Sequence, residues 1–149
     1  MRNIMATALI STMLIGGAAA LASERKITMK DLPPAVQQAI KEQGGATVRG
    51  LAKEVDKGKT LYEAELTVNG QAKDVMFDEQ GTLVSVEEES ALDQIPPVAR
   101  AAIEKAAGSG KVLAVEKLTE GGNVFYEAQV TKGGKTSEVK VDASGVAAK

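Results

Sequence analysis

Two nine-residue stretches of this chain are near copies: Leu32-Pro33-Pro34-Ala35-Val36-Gln37-Gln38-Ala39-Ile40 and Ile95-Pro96-Pro97-Val98-Ala99-Arg100-Ala101-Ala102-Ile103, 63 positions apart. Tyr62-Glu63-Ala64 returns as Tyr126-Glu127-Ala128, and Asp78…Gly81 as Asp142…Gly145, both at an offset of 64. A period of this length is too long for a solenoid and suits a small domain present in two copies. A unit of about 63 residues is also below the ~70–80 residues at which one core becomes comfortably stable. The copies are therefore expected to pack together or to share a sheet.

Ahead of the first copy, Met1-Arg2-Asn3 leads into an apolar stretch from Ile4 to Ala20, and Ala20-Leu21-Ala22 precedes Ser23-Glu24-Arg25-Lys26. A short basic start, an apolar middle and small residues at −3 and −1 describe a secretory signal peptide, cleaved after Ala22. The expected product is a periplasmic or secreted protein with no membrane span after cleavage. Its net charge is mildly acidic, −2 for the whole chain. The cations are scattered singly, which excludes the concentrated basic face that nucleic acid requires. Cysteine and histidine are both absent, so there is no disulfide, and the commonest metal ligand and general base are missing.

Each copy reads as one helix followed by about four antiparallel strands. The prolines open the helix, since proline fits the first turn, where its missing N–H would have had no partner. Val36, Ala39 and Ile40 form the apolar stripe of the first helix, and Ala99, Ala102, Ile103 and Ala106 that of the second. Gly44-Gly45 and Gly108 are the expected stops. Strands are predicted over 47–55 and 111–118, before the two Tyr-Glu-Ala segments. Strict alternation then places Tyr62, Ala64, Leu66 and Val68 on one face and Leu61, Glu63, Glu65 and Thr67 on the other. Asn69-Gly70 is a hairpin turn leading into a strand over 71–78, and Asp78–Gly81 turns into another over 82–86. The second copy repeats the scheme with Tyr126, Ala128, Val130, Val139 and Val141 inward, and a last strand over 145–149. The fold class is thus α+β, in two tandem repeats: residues 1–22 as signal, 23–89 as the first repeat and 90–149 as the second. The acidic run Glu87-Glu88-Glu89 marks the expected boundary, because like charges repel and stay solvated.

A helix opened by Leu-Pro-x-x-Val, a strand with Tyr-Glu-Ala and an Asp-x-x-Gly turn together resemble a PepSY-like domain. Two such units resemble the PepSY-like, beta-lactamase-inhibitor-like group of exported bacterial proteins, over about Ile27 to Lys149. The resemblance implies a helix-plus-sheet scaffold whose open face holds a protein, with roles in inhibiting or regulating envelope enzymes such as proteases. The inhibitor that gives the group its name has disulfides and many interface aromatics, whereas this chain has no cysteine, two Phe, two Tyr and no Trp.

No residue pattern selects a catalyst or a cofactor. Gly58-Lys59-Thr60 and Gly134-Lys135-Thr136 lack the first glycine of a phosphate loop, with Lys53 and Gln129 in its place, and a strand follows each where a helix is needed. Glu63 and Glu127, as an acid–base pair, would need a sheltered pocket; alternation puts both on the solvent side. Asp78, Asp142 and Glu87–Glu89 offer oxygens for calcium, but Asp-x-x-Gly is an ordinary turn. No catalytic, cofactor or metal residue is therefore assigned. The apolar residues Leu61, Met76 and Phe125 fall on the face away from the helix, among Glu63, Glu65, Glu127 and Gln129. Apolar groups rimmed by charge suit a protein partner, and these seven residues are the candidate binding surface. The alternative class is an envelope sensor or small-ligand or metal carrier, with a pocket between helix and sheet near Tyr62 or Tyr126.

Overall fold

The structure, a computed structural model, describes residues 23–56 and 58–148. The expected signal peptide lies outside them. The chain forms strands β1 (Ser23–Lys26), β2 (Thr47–Asp56), β3 (Lys59–Val68), β4 (Gln71–Asp78), β5 (Leu83–Ser90), β6 (Lys111–Glu120), β7 (Asn123–Lys132) and β8 (Lys135–Asp142). Helix α1 (Pro34–Lys41) follows β1, and helix α2 (Pro97–Ala107) follows β5. All eight strands lie in sequence order in one antiparallel sheet.

This corrects the expected fold of two repeats, each with a helix and its own four-stranded sheet. The strands merge because β5 pairs with β6, Ser85 opposite Glu120 through to Ser90 opposite Val115. Two separate sheets would have left two more rows of unpaired backbone groups, and pairing them removes both edges. The acidic run Glu87-Glu88-Glu89 lies inside β5, with Glu87 and Glu88 paired to both β4 and β6 and Glu89 paired to β6.

Both helices cover the same face of the sheet. Under α1, Val36 and Ile40 pack on Tyr62, Ala64, Leu66, Val75 and Phe77. Under α2, Ala99 and Ile103 pack on Val115, Ala128 and Val141. The inward register expected for Tyr62, Ala64, Leu66, Val75, Phe77, Ala128 and Val141 is the observed one. The second stripe is corrected by one position: Ala107 is buried and Ala106 exposed, since 99, 103 and 107 recur every four residues. Helix α1 ends at Lys41 with Glu42 as cap, before Gly44-Gly45. Between the helices, Lys73, Glu88 and Lys117 stand side by side on adjacent strands, so the seam carries charge rather than an apolar core.

Asn69 (φ 52°) and Gly70 (φ 84°) form the expected turn between β3 and β4. The Asp-x-x-Gly turns close on themselves: Asp78 Oδ1 accepts hydrogen bonds from the backbone N–H groups of Gln80 (2.9 Å) and Thr82 (2.8 Å). Asp142 Oδ1 accepts likewise from Ser144 and Val146. Each turn glycine then abuts the start of a helix. A Cβ added at Gly81 (φ +78°) would lie 2.7 Å from the Ala35 carbonyl oxygen, and one at Gly145 would lie 2.9 Å from that of Val98. Gly81→Ala combines left-handed strain with a backbone clash, and is expected to cost about 2–3 kcal/mol in urea denaturation. An unchanged midpoint would contradict this contact. Where a final strand over 145–149 is expected, the described tail makes a single bridge, Val141 to Ala147.

Candidate binding surface

The side chains opposite the helices form the second face of the sheet. Along one row of the register it reads Glu65, Asp74, Glu87, Leu118, Phe125 and Asp142, one residue from each of β3 to β8. The next row reads Ala52, Glu63, Met76, Ser85 and Glu120, and beyond the first, Glu89, Glu116, Glu127 and Lys140 lie in line. Leu61 faces this side too, between Glu54 and Asp78. The seven expected surface residues therefore share a face, but not one spot. Glu63 sits directly opposite Met76, while Phe125, Glu127 and Gln129 are on β7, three strands away.

Among the described residues no helix lies over this face, yet it is not fully solvated. Leu118 is 0% exposed, Ala52 5%, Glu127 8% and Ser85 9%. The covering comes from the sheet itself, through neighbouring side chains and the bending of its strands. Register irregularities at Arg49 in β2, Leu113 in β6 and between Met76 and Phe77 in β4 provide local bends. The expectation that Glu63 and Glu127 face open solvent is thus corrected: both are on the predicted face, but sheltered.

Shelter and like charge act together on the carboxylates. Burial, followed by repulsion from Glu116, Glu127, Asp74 and Glu63, pushes Glu87 up to about 8. Burial, then Glu54 and Asp74, pushes Glu63 up to about 7. Glu116 and Glu138 are raised by the same combination. Asp74 is raised by burial, although Arg49 opposes the shift with an Nη2 to Oδ1 contact of 3.4 Å. Two cations stand among these acids. Lys140 Nζ lies 2.9 Å from Glu127 Oε1 and 4.8 Å from the centre of the Phe125 ring, joining an ion pair to a cation–π contact. Among the described residues no group of three or more acids converges on a point where a metal would sit.

Sequence reasoning missed Asp74, Glu87, Glu116 and Leu118 on this face. Alternation continued through β5 and β6 points to them, once the acidic run is read as a strand. On the helix side, Tyr62 is 6% exposed and belongs to the core rather than to a ligand pocket. A polar groove of about 380 Å³ lies elsewhere, bounded by Val68, Lys73, Glu88, Gln94 and Lys117.

An open antiparallel sheet with helices on one side defines a class of protein whose other face is available for contact. The profile of the family described as "Putative beta-lactamase-inhibitor-like, PepSY-like" matches residues 21–85 and 60–148. The chain belongs to this family. Among solved structures it is similar to one described as a putative periplasmic protein from Bacteroides eggerthii, with 23% identity, 79% of this chain and 86% of that one covered, and a TM-score of 0.66. It is also similar to a BLIP-like protein from Bacteroides fragilis, with 23% identity, 77% and 82% covered, and a TM-score of 0.59. At these identities the likeness establishes the fold. No curated protein matches the sequence. No helix among the described residues is long and apolar enough to cross a membrane.

Proposed function

We propose that this chain is a non-enzymatic protein-binding module, exported to the periplasm or medium, that inhibits or regulates an envelope enzyme such as a protease. The observation that carries the reading is the helix-free face, where half-buried Leu61, Met76 and Phe125 stand among Glu63, Glu65, Glu127 and Gln129 with no helix or strand of the described residues above them. Half-exposed apolar groups ringed by charge gain most when a partner completes their burial. The family description supports inhibition as the role, and the signal-like N-terminus supports export.

The test is retention of an envelope protein by the immobilised chain 23–149, compared with the double variant Leu61→Asp, Phe125→Asp. The variant is expected to retain its fold by circular dichroism and to lose retention by at least about thirtyfold, as two contact residues worth about 1–2 kcal/mol each would require. Undiminished retention by the folded variant would place the contact elsewhere.

A further inference from the structure

The two sides of strands β4 to β6 carry charge in opposite ways. On the helix side, Lys73, Glu88 and Lys117 stand directly opposite one another and alternate in sign. On the helix-free side, Glu65, Asp74 and Glu87 are directly opposite across β3, β4 and β5, and Glu89, Glu116 and Glu127 across β5, β6 and β7. Like charges directly opposite destabilise a sheet, whereas opposite charges stabilise it. Two neighbouring acidic triplets are therefore a standing cost in the free protein. Departures of this kind from sheet chemistry gather where a surface is used.

Cations reach the triplets at their flanks. Arg49 from β2 meets Asp74 at 3.4 Å, and Lys140 from β8 meets Glu127 at 2.9 Å. Lys26 on the outermost strand and Lys59 beside the β2–β3 turn share this side of the sheet, and both are exposed. Between the flanks, Glu63, Glu87 and Glu116 enter none of the described ion pairs. The charges that act most strongly on these three are all carboxylates. For Glu87 they come from both neighbouring strands, Asp74 on β4 and Glu116 on β6, with Glu63 and Glu127 beyond. Apolar groups interleave with the acids: Met76 lies opposite Glu63, and Leu118 opposite Glu87.

The fold itself shows what such a mixed surface accepts. Lys140 Nζ is held between the Glu127 carboxylate and the Phe125 ring, 4.8 Å from its centre. Given the binding surface proposed above, on which this step rests, we infer that its partner is a basic protein segment, laying Lys or Arg side chains over Glu63, Glu87 and Glu116 and apolar side chains against Met76 and Phe125. Complementary charge supplies the selectivity, and repulsion present in the free protein is relieved in the complex. A cation beside a carboxylate favours its charged form. Arrival of the segment thus drives protons off Glu87 and Glu63, and binding tightens as pH rises.

The probe is the capped peptide Lys-Leu-Lys-Leu-Lys, titrated against the chain by calorimetry at pH 7.5 in phosphate and in Tris, buffers of different ionisation enthalpy. Glu-Leu-Glu-Leu-Glu is the control. The cationic peptide is expected to bind at least about tenfold more tightly than the anionic one, with protons released, and to weaken at pH 6. The double variant Glu87→Gln, Glu116→Gln removes repulsion and keeps the side-chain shape, so the fold is retained. It should bind the cationic peptide at least about tenfold less tightly and release fewer protons. No binding, equal binding by the double variant, or binding without proton release would each overturn the basic partner. The retention assay separates this step from the one beneath it. An envelope protein lost on Leu61→Asp, Phe125→Asp but kept by Glu87→Gln, Glu116→Gln leaves the surface standing and overturns its charge preference. One kept by both variants overturns the surface itself.

Discussion

Lowering the pH from about 8 to 5 is expected to stabilise the folded chain, by on the order of 3 kcal/mol. Glu87 and Glu63 are pushed up to about 8 and about 7, with burial as the first cause and neighbouring carboxylates as the next. In the unfolded chain both revert to the ordinary glutamate range, about 4.3. Between these values the folded state holds more protons than the unfolded one. Stability therefore falls as pH rises through the window from roughly 4.5 to 8, and is regained on the way down. The raised Asp74 and Glu116 act in the same sense. The two full shifts would sum to more than the stated figure. Water reaching the open face and repulsions shared between neighbours both reduce it. At the acid end the direction reverses, because Asp142 and Asp31 are held below their usual range by hydrogen bonds from Ser144 and Thr28 respectively. The optimum should accordingly lie in mild acid. Urea midpoints at pH 8, 7, 6 and 5 provide the measurement, with Glu87→Gln as the control that raises stability at pH 8 and flattens the slope. A midpoint that climbs with pH across this window would show that the carboxylates are solvated.

Phe77→Ala is expected to destabilise the chain by about 3–5 kcal/mol. Phe77 is 2% exposed, sits opposite Tyr62 and packs in the cluster with Val36, Ile40 and Leu66 beneath α1. The chain has two Phe, two Tyr and no Trp, so Tyr62 is the one other aromatic in this cluster and little large side chain is available to fill the vacated volume. With no cysteine to cross-link the unfolded chain, that loss is a large part of the ~5–15 kcal/mol that a domain typically holds. Met76→Ala is the matched comparison: one residue earlier on the same strand, half-buried on the opposite face, and expected to cost under about 1.5 kcal/mol. Equal losses from the two variants would mean that the faces are misassigned.

Local signals made much of this fold legible. Asn69-Gly70 fixed a turn whose two residues both require positive φ, and that turn set the register of β3 on β4 over its whole length. Pro34 and Pro97 at the helix starts were equally explicit. The pairing of β5 with β6 was not legible, because Val86 and Thr119 meet across α2 and no residue between them announces the contact. Glu87-Glu88-Glu89 read as a solvated break, since a charge run carries no sign of the strands that will flank it. The face of Leu61, Met76 and Phe125 followed from period-two alternation. The shelter on that face depends on how eight strands bend together, which alternation within one strand cannot encode. Hence Leu118 and the raised carboxylates emerged only with the sheet assembled.

The sequential strand order also shapes how the molecule forms and opens. Pairs such as β3–β4 and β7–β8 close through tight turns, so each can zip from its own end with little entropy lost. The β5–β6 pair must instead close a loop that contains the whole of α2, and it adds charged rows where the other pairs add core. Assembly should thus run as two quick local events followed by one slower joining. Spontaneous opening should begin where joining ended, parting the sheet down its middle while each helix keeps its own strands.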